Sequence, residues 1–517
     1  MNQLHTSATV ETQNVEAPGE KTEHSTPWAR EWLKWAFSFP VMLGTGLVGL
    51  MFWWARRFVV DPDLWWHITV GQTILTTHRW PTTDIYSFTA HGQPWIAEEW
   101  LGEVITAWVS KAGGVRGLDF LLFLLAAAIV VALYVLASMR SNSKAGFLAT
   151  ALVCPLAWAS FTLRPQMLAY LFLILTMIAL EQFRKGKRWA IWTLPPIFLL
   201  WVNTHGLWLI GLGVVFLYWI SGLVEFRLGR IEATRWSASE RKQISLAFLL
   251  SVAALGVTPY GTRLAAIPFQ FMFSLPLVKA GIQEWQPLTF NTFYGGLFLA
   301  LVLGFLALQA VLDFTWRLDE LLLVLGTIAM TCVHERFVLL FVPFFAPLLA
   351  RCLARWIEPY QRSIDKYALN GILMGGVVLA MVHYFPSRAN LEARIAGTFP
   401  VGAVEYLREH PVPGPMFNSY FFGGYLVSAL SERQPVFVDG RAELYETSGV
   451  LDDYMQVTFL KPGGLDVLRR YGISSCLLER GSALATVLTS SPGWKKIYFD
   501  DVSAIFVRTH PPTAQAN

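Results

Sequence analysis

Asp61-Pro62-Asp63-Leu64-Trp65-Trp66-His67 follows directly on the first long apolar run, and its reading decides the fold. Two carboxylates and an imidazole stand where a membrane helix would leave the bilayer. Ionisable groups beside hydrocarbon are costly, so an acidic cluster there points to a water-filled functional site.

The composition around it agrees. The 517 residues are 54% hydrophobic and only 15% charged, which excludes an ordinary soluble globular chain. The 22 Trp suit a bilayer interface, where the ring body meets lipid and the N–H meets headgroups. The net charge of +4 is small, and with no basic block or RNA-type aromatic motif, nucleic acid is not an expected partner. Cys154, Cys332 and Cys352 fall in apolar runs and Cys476 stands alone, so neither zinc nor a disulfide framework is expected. Residues 1–27 are polar and Thr/Glu-rich, and are expected to be a disordered cytoplasmic lead.

Working outward, apolar runs recur until residue 385, and a span needs roughly 20 residues to cross about 30 Å of hydrocarbon. About eleven are expected, near 35–55, 119–139, 146–162, 166–183, 189–204, 206–224, 244–260, 295–312, 320–334, 337–355 and 367–385. Arg30, Lys34, Arg140, Lys144, Arg184, Lys185, Lys187, Arg188, Arg227, Arg230, Arg241, Arg351, Arg355 and Lys366 all fall on one side if the spans alternate. The positive-inside rule makes that side cytoplasmic. The other side then holds a loop at 56–118, a second at 259–294 and the whole tail from 386.

The expected class is therefore a polytopic α-helical membrane protein with a C-terminal α/β extracytoplasmic domain. Its expected parts are a transmembrane unit at 28–385, outer-loop helices within 61–113, and the extracytoplasmic domain at 386–517. Leu64, Ile68, Gly71 and Ile74 recur at helical spacing, with Asp63 placed to cap the start. A second amphipathic helix is expected from Ile96 to Ala112, carrying Glu98, Glu99 and Glu103. In the tail, helical patterns (Val401–Glu409, Gly464–Tyr471, Ser482–Ser490) alternate with β-rich runs (Pro435–Val438, Ile473–Leu478, Lys495–Phe499, Ser503–Val507).

The arrangement resembles the membrane glycosyltransferases of the C superfamily, the group of protein O-mannosyltransferases and lipid A aminoarabinose transferases. Asp61-Pro62-Asp63 occupies the place of that family's acidic motif after the first span, and Pro94-Trp95-Ile96 opens what looks like its second loop helix. Bacterial relatives carry strings similar to DPDLWWH (61–67), RPQ (164–166), NTHG (203–206), PYG (259–261), FNSY (417–420) and FVDGR (437–441). The chain departs from the pattern in having Asp-Pro-Asp for Asp-Glu and in lacking a Lys-Pro-Pro segment. The resemblance implies an inverting transfer of sugar from a polyprenyl-phosphate donor to a glycan, lipid or protein acceptor, at the outer face of the cytoplasmic membrane.

That chemistry needs a base for the acceptor hydroxyl and positive charge for the departing phosphate. Asp61 or Asp63 supplies the first; counting from the membrane exit favours Asp61, and counting to Ile74-Leu75 favours Asp63. Arg164, His205, Arg336 and His67 are the candidates for the phosphate, since Arg is permanently charged and forks onto its oxygens. Glu98, Glu99, Glu284, Asn418, Asp439 and Arg441 are the candidates for the acceptor. Plainer roles compete: helix capping for Asp63, headgroup contact for Arg164, backbone satisfaction for His205, an ion pair at Glu335, and turn capping for Asn418, Asp439 and Arg441. An Asp-x-Asp pair can hold Mg²⁺ or Mn²⁺, yet no metal and no cofactor is expected. The rival readings are a non-catalytic scaffold of the same fold that binds lipid or glycan, and then a transporter. A transporter predicts internal repeats, and none is visible.

Overall fold

A helix lies in each of the apolar stretches read from the sequence. The structure is a computed structural model that describes residues 28–54, 60–158, 161–274, 276, 285–430 and 434–509. The expected disordered lead at 1–27 and the candidate Glu284 lie outside the described residues.

Helices α1 (Trp28–Ala36) and α2 (Phe39–Trp54) meet at a bend of 42°. The acidic motif opens α3 (Asp63–Thr77), and α4 (Trp100–Met139) follows the loop. Then come α5 (Ser143–Trp158), α6 (Gln166–Arg184), α7 (Leu194–Val202), α8 (Trp208–Ser221), α9 (Ala238–Ala254) and α10 (Arg263–Ser274). The helical part closes with α11 (Phe293–Val311), α12 (Leu318–Val333), α13 (Val338–Leu353) and α14 (Tyr367–Tyr384). Among the described residues, five helices are long and apolar enough to cross a membrane, or six with the bent pair; α5, α7 and α8 are shorter apolar helices. On α14, Ile372, Leu379 and Val382 are each about 70% exposed. An apolar face of that size suits hydrocarbon and not water.

Two breaks matter for the site. Helix α4 is interrupted at Gly114 (φ +56°, ψ −149°), a conformation open to glycine and strained for other residues. The break separates a loop-side helix carrying Glu103 from the apolar helix that follows. At the Arg-rich end, buried ion pairs tie α4, α6, α12 and α13: Arg317 meets Glu181 at 2.5 Å and Asp319 at 2.7 Å, Arg351 meets Glu320 at 2.9 Å, and Arg140 also meets Glu320.

Strands β1 (Phe226–Leu228), β2 (Ile231–Ala233) and β3 (Trp316–Arg317) make a small sheet near that end. The tail holds a four-stranded mixed sheet in the order β4-β5-β7-β6, from β4 (Met416–Asn418), β5 (Ser475–Glu479), β6 (Trp494–Phe499) and β7 (Ser503–Arg508). Only the β4–β5 pair is parallel. Around it pack α15 (Arg388–Ala396), α16 (Val401–Glu409), α17 (Tyr420–Leu430), α18 (Ala442–Thr447), α19 (Val450–Thr458), α20 (Gly464–Arg470) and α21 (Ala483–Ser490).

The expected strand at Pro435–Val438 is a single parallel bridge, Ser87 to Val436, between the acidic loop and the tail. Strand β4 carried no alternation to read because all three of its residues are buried. The tail and the loop share one hydrophobic core, in which Val70, Ile74, Tyr86 and Trp95 pack with Phe417, Phe422, Phe437 and Leu477. That shared core brings the tail onto the acidic motif.

Candidate functional site

The acidic motif is folded by its own backbone. Asp63 N–H donates to Asp61 Oδ1 at 2.9 Å, so Asp61 caps α3. The cap expected of Asp63 falls to Asp61 because Pro62 stands at the cap position with helical angles (φ −65°, ψ −29°), leaving Asp63 inside the first turn. Asp61 is buried, while the Asp63 side chain keeps 17% of its surface.

Arg164 closes over both carboxylates. Its Nε donates to Asp61 Oδ2 at 2.7 Å and its Nη2 reaches Asp63 Oδ2 at 3.0 Å. The turn is seated by Pro165, which lies so close to Gly102 of α4 that a Cβ there would be 2.6 Å from the proline ring. An arginine that spans two carboxylates is held as a fork, the geometry that also suits phosphate oxygens.

A second set of groups lies beside the clasp. Asn203 takes Trp100 Nε1–H at 2.8 Å on its side chain and Leu101 N–H at 3.1 Å on its carbonyl. The NTHG turn therefore starts α4 at Trp100, leaving Glu98 and Glu99 in the preceding turn and not on a helix from Ile96. His205 Nε2 meets Glu99 Oε1 at 3.3 Å, and His67 Nε2 meets Glu99 Oε2 at 3.5 Å. His67 Nδ1 meets Glu103 Oε1 at 3.2 Å. Helices α3 and α4 come this close because position 71 is glycine: a Cβ there would be 2.1 Å from the Glu103 carbonyl oxygen.

Burial and charge set the states of these groups. Burial, with Arg336 and Arg164 nearby, pushes His205 down to about 3. Its Nδ1 accepts Leu207 N–H at 3.0 Å, so the proton sits on Nε2 and points at Glu99. His205 is thus a neutral donor and not the cation expected for phosphate. His67 is likewise held well below the usual histidine range by burial and by the charge of Arg164. Burial and the Glu98 and Glu103 carboxylates lift Glu99 well above the usual range. Burial, then Glu443 of the tail, pushes Glu98 up to about 8, against the pull of Arg336. Arg336 lies over the Trp285 ring at 4.2 Å.

The tail forms one wall. A Cβ on Gly440 would be 1.8 Å from Asp63 Oδ1, and one on Gly424 would be 2.3 Å from the Pro62 carbonyl oxygen. Tyr420 donates its hydroxyl to the Gly440 carbonyl at 3.1 Å and feels the charges of Asp63 and Arg164. Gly440→Ala is expected to displace the Asp63 carboxylate and lower any activity of this site at least tenfold while the melting temperature changes little. Gly493→Ala, at an uncrowded glycine, is the silent control. Equal activity in the two variants would remove the tail from the site.

Asn418, Asp439 and Arg441 are placed differently from the acceptor contacts expected of them. Asn418 is buried, donating to the Val438 carbonyl at 2.8 Å and accepting from Phe437 N–H at 2.7 Å. Arg441, 1% exposed, donates to Asp84 at 2.7 Å and to Asp439 at 2.6 and 2.8 Å. Burial works against its charge, and the two carboxylates overcome that and keep it protonated. Arg441, held by Asp439, clips the tail to the loop at Asp84, and Asn418 braces the tail's own backbone.

The structure brings together Asp61, Asp63, Arg164, His67, His205 and Glu99, with Glu98 and Arg336 beside them. Sequence reasoning gave no site role to Glu103, Tyr420, Gly440 or Glu443. The spacing of Glu99 and Glu103, one helical turn apart, was the one local signal for the first. Among the described residues, no group of three or more His, Cys, Asp or Glu is arranged to hold a metal ion.

No protein-family model matches the sequence, and no curated protein matches it. Solved structures do. The archaeal oligosaccharyltransferase AglB from Archaeoglobus fulgidus, in complex with an inhibitory peptide and a dolichol-phosphate, aligns with a TM-score of 0.51 at 10% identity, over 87% of this chain and 70% of that one. The same enzyme tethered to an acceptor peptide aligns with a TM-score of 0.51 at 9% identity, over 88% and 70%. ArnT from Cupriavidus metallidurans bound to undecaprenyl phosphate aligns with a TM-score of 0.46 at 12% identity, over 93% and 98%. The chain has the fold of the A. fulgidus oligosaccharyltransferase.

Proposed function

We propose that this protein is an inverting glycosyltransferase that moves a sugar from a polyprenyl-phosphate carrier to an acceptor at the outer face of the cytoplasmic membrane. The helices α2, α4–α9 and α11–α14 form about eleven spans, the N-terminus is cytoplasmic, and the unit from 386 is extracytoplasmic. The observation that carries this reading is the Arg164 fork held by Asp61 and Asp63. Of the pair, Asp61 is buried and positions Arg164; Asp63, whose side chain is the more exposed, is the base for the acceptor hydroxyl.

In one in-line displacement the acceptor oxygen bonds to the anomeric carbon as the carbon–phosphate oxygen bond breaks. The acceptor proton passes to Asp63, and the electron pair of the broken bond stays on the phosphate. Arg164 supplies the guanidinium fork that phosphate oxygens accept from. Arg336 adds a second positive charge nearby. Glu98 and Glu443, both buried enough to titrate near neutrality, suit the hydroxyls of an acceptor. The dolichol-phosphate in the A. fulgidus oligosaccharyltransferase complex supports a lipid-phosphate donor.

The test is transfer from a labelled polyprenyl-phosphate sugar by the full chain in liposomes. Asp63→Asn is expected to lower kcat by about 10²–10⁴-fold, the usual share of a general base. Asp61→Asn is expected to weaken donor binding as Arg164 loses its anchor. If both variants transfer like the parent protein, the assignment is wrong and the scaffold reading gains.

A further inference from the structure

Glu99, His67 and Glu103 form a line that the displacement above does not use. The imidazole of His67 stands between two carboxylates, Nε2 to Glu99 at 3.5 Å and Nδ1 to Glu103 at 3.2 Å. His205 presents an N–H to the other oxygen of Glu99 at 3.3 Å. Glu103 is 1% exposed, and its Oε2 has no hydrogen-bond partner. An orphaned oxygen in a buried carboxyl costs less when the group is neutral.

One proton assignment satisfies all of these contacts. Glu103 is protonated and donates to His67 Nδ1; His67 Nε2–H then faces Glu99 at 3.5 Å, a charge contact longer than a formed hydrogen bond, and Glu99 carries the negative charge with His205 Nε2 at 3.3 Å from its other oxygen. A shift of both bridging protons gives the mirror form, with Glu99 protonated and Glu103 charged. The imidazole stays neutral in both forms.

We propose that Glu99, His67 and Glu103 are a proton relay that stores one proton and receives the one released during transfer. This rests on the reading of Asp63 as the base. After the displacement Asp63 holds the acceptor's proton. Glu99, charged and close enough for the two carboxylates to repel, takes it through a bridging hydroxyl, and Asp63 returns to its charged form against Arg164. The relay then holds two protons and loses one to solvent when product leaves, so protons balance over a turnover. The charged and titratable groups facing it are Glu98 on the same turn as Glu99, Arg164 from the α5–α6 turn, His205 from the α7–α8 turn and Asp63 on α3, with Arg441 of the tail, Tyr86 and Tyr260 towards Glu103.

The stored proton is read without activity. Infrared spectra of the full chain in liposomes at neutral pH are expected to hold a protonated-carboxyl component, beside those of Glu98 and Glu443, that moves in D₂O, is lost in Glu103→Gln and shifts in Glu99→Gln. A band untouched by either substitution overturns the relay. In turnover, His67→Gln is expected to lower kcat about a hundredfold, with KM within threefold and an altered pH profile. A loss equal at every pH, with KM rising, would make His67 a packing residue and overturn it too. If the parent chain transfers no sugar while the band behaves as expected, the transferase reading fails and the proton store stands.

Discussion

Arg164→Ala is expected to lower kcat/KM for transfer from a polyprenyl-phosphate sugar by about a thousandfold. Removing one preorganised donor from developing negative charge typically costs 10²–10³ in rate. The substitution also strands Asp61, which is buried and loses the partner of its Oδ2. A buried carboxylate without its cation is itself destabilising by about 3–5 kcal/mol. Two measurements separate these effects. Arg164→Lys keeps the charge without the fork, so it should hold stability near that of the parent while transfer stays at least tenfold down. Transfer by Arg164→Ala within threefold of the parent would end the phosphate role.

Arg441→Leu is expected to destabilise the protein by about 3–5 kcal/mol, since it leaves Asp84 and Asp439 buried without their shared cation. The clip is enclosed: the guanidinium lies over Trp95 at 4.7 Å and Tyr86 at 5.1 Å, both from the acidic loop. Tyr445 donates to Asp439 at 2.8 Å, and Ser87 donates to Asp84 at 2.6 Å. Because this network joins loop to tail, limited proteolysis of the variant should cut within the tail before the helical part unfolds. Asp84→Asn with Arg441→Met, which removes charge of both signs, should recover part of the loss. A melting temperature unchanged in Arg441→Leu would mean that the shared hydrophobic core alone holds the tail.

The clip and the clasp mark the reach of reading along the chain. Each apolar stretch announced a helix because about twenty consecutive apolar side chains are a local property. The early position of Asp61 and Asp63 and the outlying Arg164 were equally local, being charges where charge is costly. The loop helix start was misplaced at Ile96 because Trp100 and Leu101 take their partners from Asn203, over a hundred residues away. The strand expected at Pro435–Val438 became a bridge because its neighbour is the acidic loop and not another tail strand.

By itself, then, the sequence determined a bundle of apolar helices, an acidic motif at one end, and a β-containing tail, since patterning and charge cost act over a turn or a strand. Tertiary structure alone decided that Asp61, and not Asp63, caps the helix, that His205 is neutral, that Arg441 is a clip, and that Gly440 lies against Asp63. Those outcomes depend on burial and on partners as many as 357 residues apart. Desolvation and ion pairing take their size from what surrounds a group in space, and no window along the chain contains that.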